Sequence, residues 1–183
     1  MKILGVDPGT ATTGWAILSS KTPAVSDQPE KKKKSAPNGL ALNLESYGCI
    51  VTEPGEEMPK RLLILNRSLR KIIKEKRPDC LSLERIFFGA NSKTAITVGQ
   101  ARGVIMLTAA AEKVPVFEYQ GLQVKQHLTK YGRASKIDVQ KAVIKILNIK
   151  KIDTPEDQNG KLRKAFLDDS VDAIALAIFH TLR

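Results

Sequence analysis

Apolar and polar positions alternate between two periods along the chain. KILGV at 2–6 and TGWAIL at about 13–18 are short apolar runs separated by DPGTAT, a Gly/Pro/Asp cluster that predicts a turn and hence a hairpin. Leu40 to Val51 predicts a third strand and an antiparallel start. Residues 58–77 switch to helical spacing: Leu62, Leu65, Leu69, Ile72 and Ile73 share a stripe, basic residues fill the other faces and Pro78 ends the run. CLSLE at 80–84 predicts a buried strand, 94–112 an apolar helix and VPVFEY at 114–119 another strand, an order that implies parallel pairing. Helices follow at about 121–129 and 136–147, then a final helix DDSVDAIALAIFHTLR.

Two segments break these periods. Ser19 to Asn38 is rich in Ser, Pro and Gln with a block of lysines at Lys31 to Lys34; it cannot bury enough apolar surface to offset its ordering entropy and is expected to be a flexible insertion. Residues 151–167 are mixed and polar and predict a loop insertion.

The composition adds a partner class. With 183 residues, 42% of them hydrophobic, the chain has the size of one domain with a real core. A formal net charge of +11 points to a polyanion, nucleic acid before membrane. The excess is concentrated where eight Lys and Arg between Lys125 and Lys151 accompany a single acid, Asp138. No run of eighteen apolar residues occurs and MKILGVDPG lacks the layout of a signal peptide, so a soluble, cytoplasmic protein without membrane partners is expected. Cys49 and Cys80 lie far apart in apolar runs and predict packed, reduced thiols. His127 and His180 are too few for a zinc site and predict packed or hydrogen-bonded roles. Trp15 and Tyr119 lie in strand-like runs and predict core positions.

The candidate chemistry is acidic. Asp7 ends the first strand and Glu84 the strand LSLE, while Asp169 and Asp172 lie three apart at the start of the last helix and share a face. Each alone has a structural explanation: Asp7 as a turn former before Pro8, Glu84 as a partner of Arg85, Asp168 or Asp169 as a helix cap. If the two strands are neighbours and the helix crosses them, the four carboxylates converge, and such a cluster stays ionised only around a cation. Oxygen ligands favour Mg²⁺ or Mn²⁺. In a basic protein, two ions roughly 3.5–4 Å apart suit in-line hydrolysis of a phosphodiester.

GVDPGTATTGWAIL at 5–18, LSLERIFFGANSKTAITVGQARG at 81–103, VPVFEYQGLQVKQHL at 114–128 and DDSVDAIALAIFH at 168–180, in this order, make the chain resemble the RuvC family of Holliday junction resolvases. The resemblance implies a single α/β domain over 1–183 with an RNase H-like fold: a five-stranded mixed sheet, antiparallel at the start and then parallel, flanked by helices. It implies a homodimeric endodeoxyribonuclease that nicks four-way junction DNA symmetrically in recombination and repair, leaves 5′-phosphate ends, and cooperates with the RuvA–RuvB branch-migration complex. By motif position Asp7, Glu84, Asp169 and Asp172 look like the catalytic acids holding two Mg²⁺, with Mn²⁺ able to substitute. Lys125 and Lys136 look like the basic residues near the scissile phosphate, and Phe87 like an aromatic that stacks on opened bases. Asp168 is left as a helix cap or a supporting group. The insertions at 19–38 and 151–167 depart from the family pattern without interrupting an acidic position. Competing expectations are an RNA-processing nuclease of the same fold, a non-catalytic junction-binding module, and a phosphate-binding hairpin of the actin-like ATPases, for which a second phosphate loop is lacking.

Overall fold

The computed structural model describes residues 1–21, 41–85 and 92–183. The predicted elements form over nearly the expected bounds: β1 Lys2–Asp7, β2 Thr12–Lys21, β3 Ala41–Val51, α1 Met58–Lys76, β4 Cys80–Arg85, α2 Ser92–Ala111, β5 Val116–Gln120, α3 Gly121–Thr129, α4 Lys136–Leu147 and α5 Leu167–Leu182. Ser19–Lys21, expected to open the flexible insertion, belong to β2 instead. Ser19, Ser20 and Lys21 pair with Asn43, Leu42 and Ala41, since continuing the ladder satisfies their backbone groups. The rest of that segment, with Phe87, lies outside the described residues.

The strands run in the order β3-β2-β1-β4-β5. β1 pairs antiparallel with β2, which pairs antiparallel with β3, whereas β1–β4 and β4–β5 are parallel. Period-two alternation then sorts the core into two layers. Leu4, Val6, Ile17, Leu81 and Leu83 pack under α1 and α2. Ile3, Ala16, Leu18 and Cys80 pack under α3, α4 and α5. Asp7 and Glu84 continue the rows Ile3-Gly5-Asp7 and Cys80-Ser82-Glu84, so the alternation puts both on the face that α5 covers.

α5 lies unusually close to the sheet. A Cβ on Gly5 would sit 2.0 Å from the Ala173 carbonyl oxygen, and one on Gly14 would sit 2.0 Å from that of Asp169. The Ser82 hydroxyl donates to the Leu176 carbonyl at 2.9 Å, and that of Ser170 to Gly48 at 3.0 Å. Small residues on three adjacent strands therefore form the trough in which this helix lies.

The polar stretch before α5 is ordered by β3. Cys49 N–H donates to the Glu156 carbonyl at 3.0 Å, and the Gln158 side-chain amide accepts from Val51 N–H and donates to Val51 C=O at 2.9 and 2.8 Å, copying a ladder partner. This covers part of an edge strand that would otherwise expose unpaired groups. Asp157, buried, accepts from the Asn159 and Lys161 amides and from Arg163 Nε, which hold its carboxyl below the ordinary carboxylate range against the opposing effect of burial. A 3₁₀ turn at Lys164–Phe166 leads into α5.

Both thiols are packed as expected, with burial pushing each up to about 11. His180 joins Tyr119 Oη at 2.7 Å and Cys80 Sγ at 3.3 Å, and His127 packs edge-on against Phe179. Tyr119 is in the core, whereas Trp15 is half-buried at its margin. Among the described residues no helix is long and apolar enough to cross a membrane.

Candidate active site

Strand register brings the first two acids together. Val6 is opposite Leu83, so Asp7 and Glu84 follow side by side at the ends of neighbouring parallel strands, where their side chains share a hydrogen bond. The close seating of α5 on Gly5 and Gly14 then lowers its first turn onto them. Asp169 and Asp172 project from that turn. Gly121, at the start of α3, makes the remaining room, because a Cβ there would come within 2.2 Å of Glu84 Oε1.

The electrostatics follow from this crowding. Asp7 is raised well above the ordinary carboxylate range, first by burial, then by the Glu84 charge and hydrogen bond, then by Asp172 and Asp169. Asp172 is raised to about 6 by burial and by Glu84, an effect reduced by Lys125 and Lys136. Asp169 is raised by burial and lowered by Lys136. All four sequence-predicted acids and both predicted lysines thus belong to one electrostatic cluster. Among the described residues no three Cys, His, Asp or Glu side chains stand in a ready-made metal cage. The donor set, four carboxylates with flanking ammonium groups, fits a hard divalent cation.

Asp168 is not the helix cap. Phe166 occupies that position, and Asp168 lies within the first turn, pairing with Lys136 Nζ at 3.1 Å. This pair raises the Lys136 ammonium above its usual range. Lys136 is also the first residue of α4, set by a reciprocal capping box between Ser135 and Asp138. Glu84 and Lys125 line an open groove of about 460 Å³ together with Pro8, Gly121, Leu122 and Gly132. Sequence reasoning missed Gly5, Gly14, Ser82 and Gly121, which act by being small. For Gly5 and Gly14, a glycine inside an otherwise β-forming run was the available signal.

Residues 35–180 match the family model described as crossover junction endodeoxyribonuclease RuvC. The chain belongs to that family. The RuvC of Pelotomaculum thermopropionicum is 43% identical over 98% of this chain and 92% of its own length. That of Syntrophomonas wolfei is 42% identical over 98% and 88%. These alignments also span most of the N-terminal stretch, including the Asp7 region, that the family match leaves out. Among solved structures, Thermus thermophilus RuvC superposes with a TM-score of 0.76 at 25% identity, covering 99% of this chain and 93% of the other. The same protein in complex with a Holliday junction substrate gives 0.75 at 24% identity, a likeness of fold. The RNase H-like α/β architecture expected from the sequence is the observed one.

Proposed function

We propose that this chain is a Mg²⁺-dependent endodeoxyribonuclease that resolves four-way DNA junctions by paired symmetric nicks. The observation that carries the reading is the convergence of Asp7, Glu84, Asp169 and Asp172 under two lysines, in a member of this family with a net charge of +11. Asp7, Glu84, Asp169 and Asp172 would hold two Mg²⁺ ions, with Mn²⁺ able to substitute. Such a bound pair supplies an activated water and a charge sink for the leaving oxygen. Lys125 and Lys136 neutralise the phosphate next to the acids, a contribution that weakens steeply with salt. The lysines on α3 and α4 orient the phosphodiester over the acids. Phe87 is assigned to stacking at the crossover. The product ends are 5′-phosphate and 3′-hydroxyl.

A homodimer suits two equivalent cuts on a nearly two-fold substrate. α2 supports it: Ile96, Gly103, Leu107 and Ala110 recur on one exposed stripe, with Gly99 beside them, and a Cβ on either glycine would meet nothing within 4 Å. The stripe leaves an apolar face at which a second helix could approach closely. The reading extends to a single nuclease domain acting in the cytoplasm in recombination and repair, alongside RuvA–RuvB.

The test is nicking of a labelled mobile junction with Mg²⁺, wild type beside Glu84→Gln and a linear duplex control. Symmetric nicks that vanish in the variant while junction binding persists are expected. Tight binding without cutting by wild type would turn the reading to a binding module, and cutting of structured RNA alone would turn it to RNA processing.

A further inference from the structure

The two lysines beside the acids stand on different helices, and six residues, Lys130 to Ser135, connect them. This connection is built as a fixed turn. Lys130 closes α3 in the left-handed region (φ 66°), with its carbonyl accepting from Gln126 Nε2 at 3.1 Å. The Thr129 hydroxyl accepts from Tyr131 N–H at 3.1 Å and contacts the carbonyls of Tyr131 and Lys125 at 2.8 and 2.7 Å. Ala134 N–H donates to the Tyr131 carbonyl at 3.1 Å, and the Ala134 methyl is buried in the core. The backbone of Tyr131 is thus held at both ends, and through Thr129 it is tied to the turn of α3 that carries Lys125.

What this turn presents is an aromatic ring to solvent. Tyr131 is 60% exposed. The other exposed aromatic among the described residues, Phe117, already packs on the His180 ring at 4.7 Å. Gly132, the next residue, lines the groove that runs past Lys125 to Glu84. Lys130 and Arg133 stand on either side of Tyr131 along the chain and are exposed. An exposed aromatic on a preorganised turn, with basic neighbours in the chain and adjacent to a residue that lines the groove, has the chemistry of a base-stacking platform.

We propose that Tyr131 stacks on an unpaired base of the junction next to the nucleotide whose phosphate is cut, and so sets how the strand enters the groove. The proposal rests on the junction-resolving reading and adds a positioning residue to it. Ordering the entry of the strand raises affinity for opened DNA, where a base face is free, and not for intact duplex.

The experiment uses full-length protein and a four-way junction carrying 2-aminopurine at successive nucleotides around the crossover, with Ca²⁺ in place of Mg²⁺ for binding. Wild type is expected to quench the probe at one position. Tyr131→Ala, at an exposed site, keeps its melting temperature, loses the quench and raises the junction KM about tenfold, the scale of one base–aromatic stack, while kcat changes little. Tyr131→Phe, which keeps the ring, recovers the quench and most of the KM. Equal quenching and KM in Tyr131→Ala and wild type would overturn the proposal, as would an equal loss of affinity for linear duplex, the mark of a plain phosphate contact. Wild type that does not prefer junction to duplex would overturn the functional reading beneath it, and a wild type that cuts junctions while Tyr131→Ala is unaltered overturns the stacking role alone.

Discussion

Asp172→Asn should make the metal-free protein more stable at neutral pH while removing its activity. Asp172 is raised from 3.8 to about 6, with burial as the first cause and Glu84 as the second. Between these values the native state binds more protons than the unfolded chain, so this group's contribution to stability falls as pH rises from about 4 to about 6 and stays low above it. The separation, at about 1.4 kcal/mol per pH unit, makes ionised Asp172 cost about 3 kcal/mol at pH 7.5. Asparagine removes that charge and also relieves Asp7, which Asp172 pushes upward. Urea melts in EDTA at pH 4.5 and 7.5 read the effect as the difference between variant and wild type, in which carboxylates of opposite behaviour such as Asp157 cancel. The variant is expected to gain about 1–3 kcal/mol on wild type at pH 7.5 and little at pH 4.5. On the proposed Mg²⁺-binding reading, saturating Mg²⁺ is expected to close the gap by binding wild type in its native state. A variant that is no more stable than wild type at pH 7.5 without metal would refute the claim that these carboxylates are held together against their own repulsion.

Two glycine substitutions separate the site from the fold. Gly121→Ala directs a methyl at Glu84 Oε1, the far end of a flexible side chain, and should cut nicking sharply while urea melts shift by less than about 1 kcal/mol. Gly14→Ala meets backbone at the Asp169 carbonyl, so it should cost about 1–3 kcal/mol or more in the same melts and lose nicking too, by lifting the first turn of α5. Arg163→Met leaves the buried Asp157 carboxylate without its guanidinium and should destabilise by roughly 3 kcal/mol at pH 7, an effect that shrinks as pH falls through the depressed Asp157 range, measured by urea melts at pH 7 and 3.5.

Much of this site was legible in residue order, because strand and helix periods depend on neighbours in the chain. Alternation alone puts Asp7 and Glu84 at the ends of apolar strands, and spacing by three puts Asp169 and Asp172 on one helical face. Capping chemistry set α4, where Ser135 and Asp138 bond each other whatever surrounds them. Composition announced a polyanionic partner. Contacts between distant residues were not legible in this way. That β1 neighbours β4, so that Asp7 meets Glu84, is decided by which strand pairing buries both core layers at once. The depth at which α5 lies depends on Gly5, Gly14 and Ser82 having almost no side chain, a property that matters only once a helix is laid against them. Asp168 reads as a cap or a supporting group in the sequence, and the partnership with Lys136 is decided by tertiary contact between the starts of α4 and α5. The polar stretch around Gln158 reads as a loop and becomes a cover for β3, since its amide finds the free groups of Val51. Local periodicity placed each charged group on its element, and only tertiary packing, which balances burial against repulsion over the whole chain, decided which of those charges share a site.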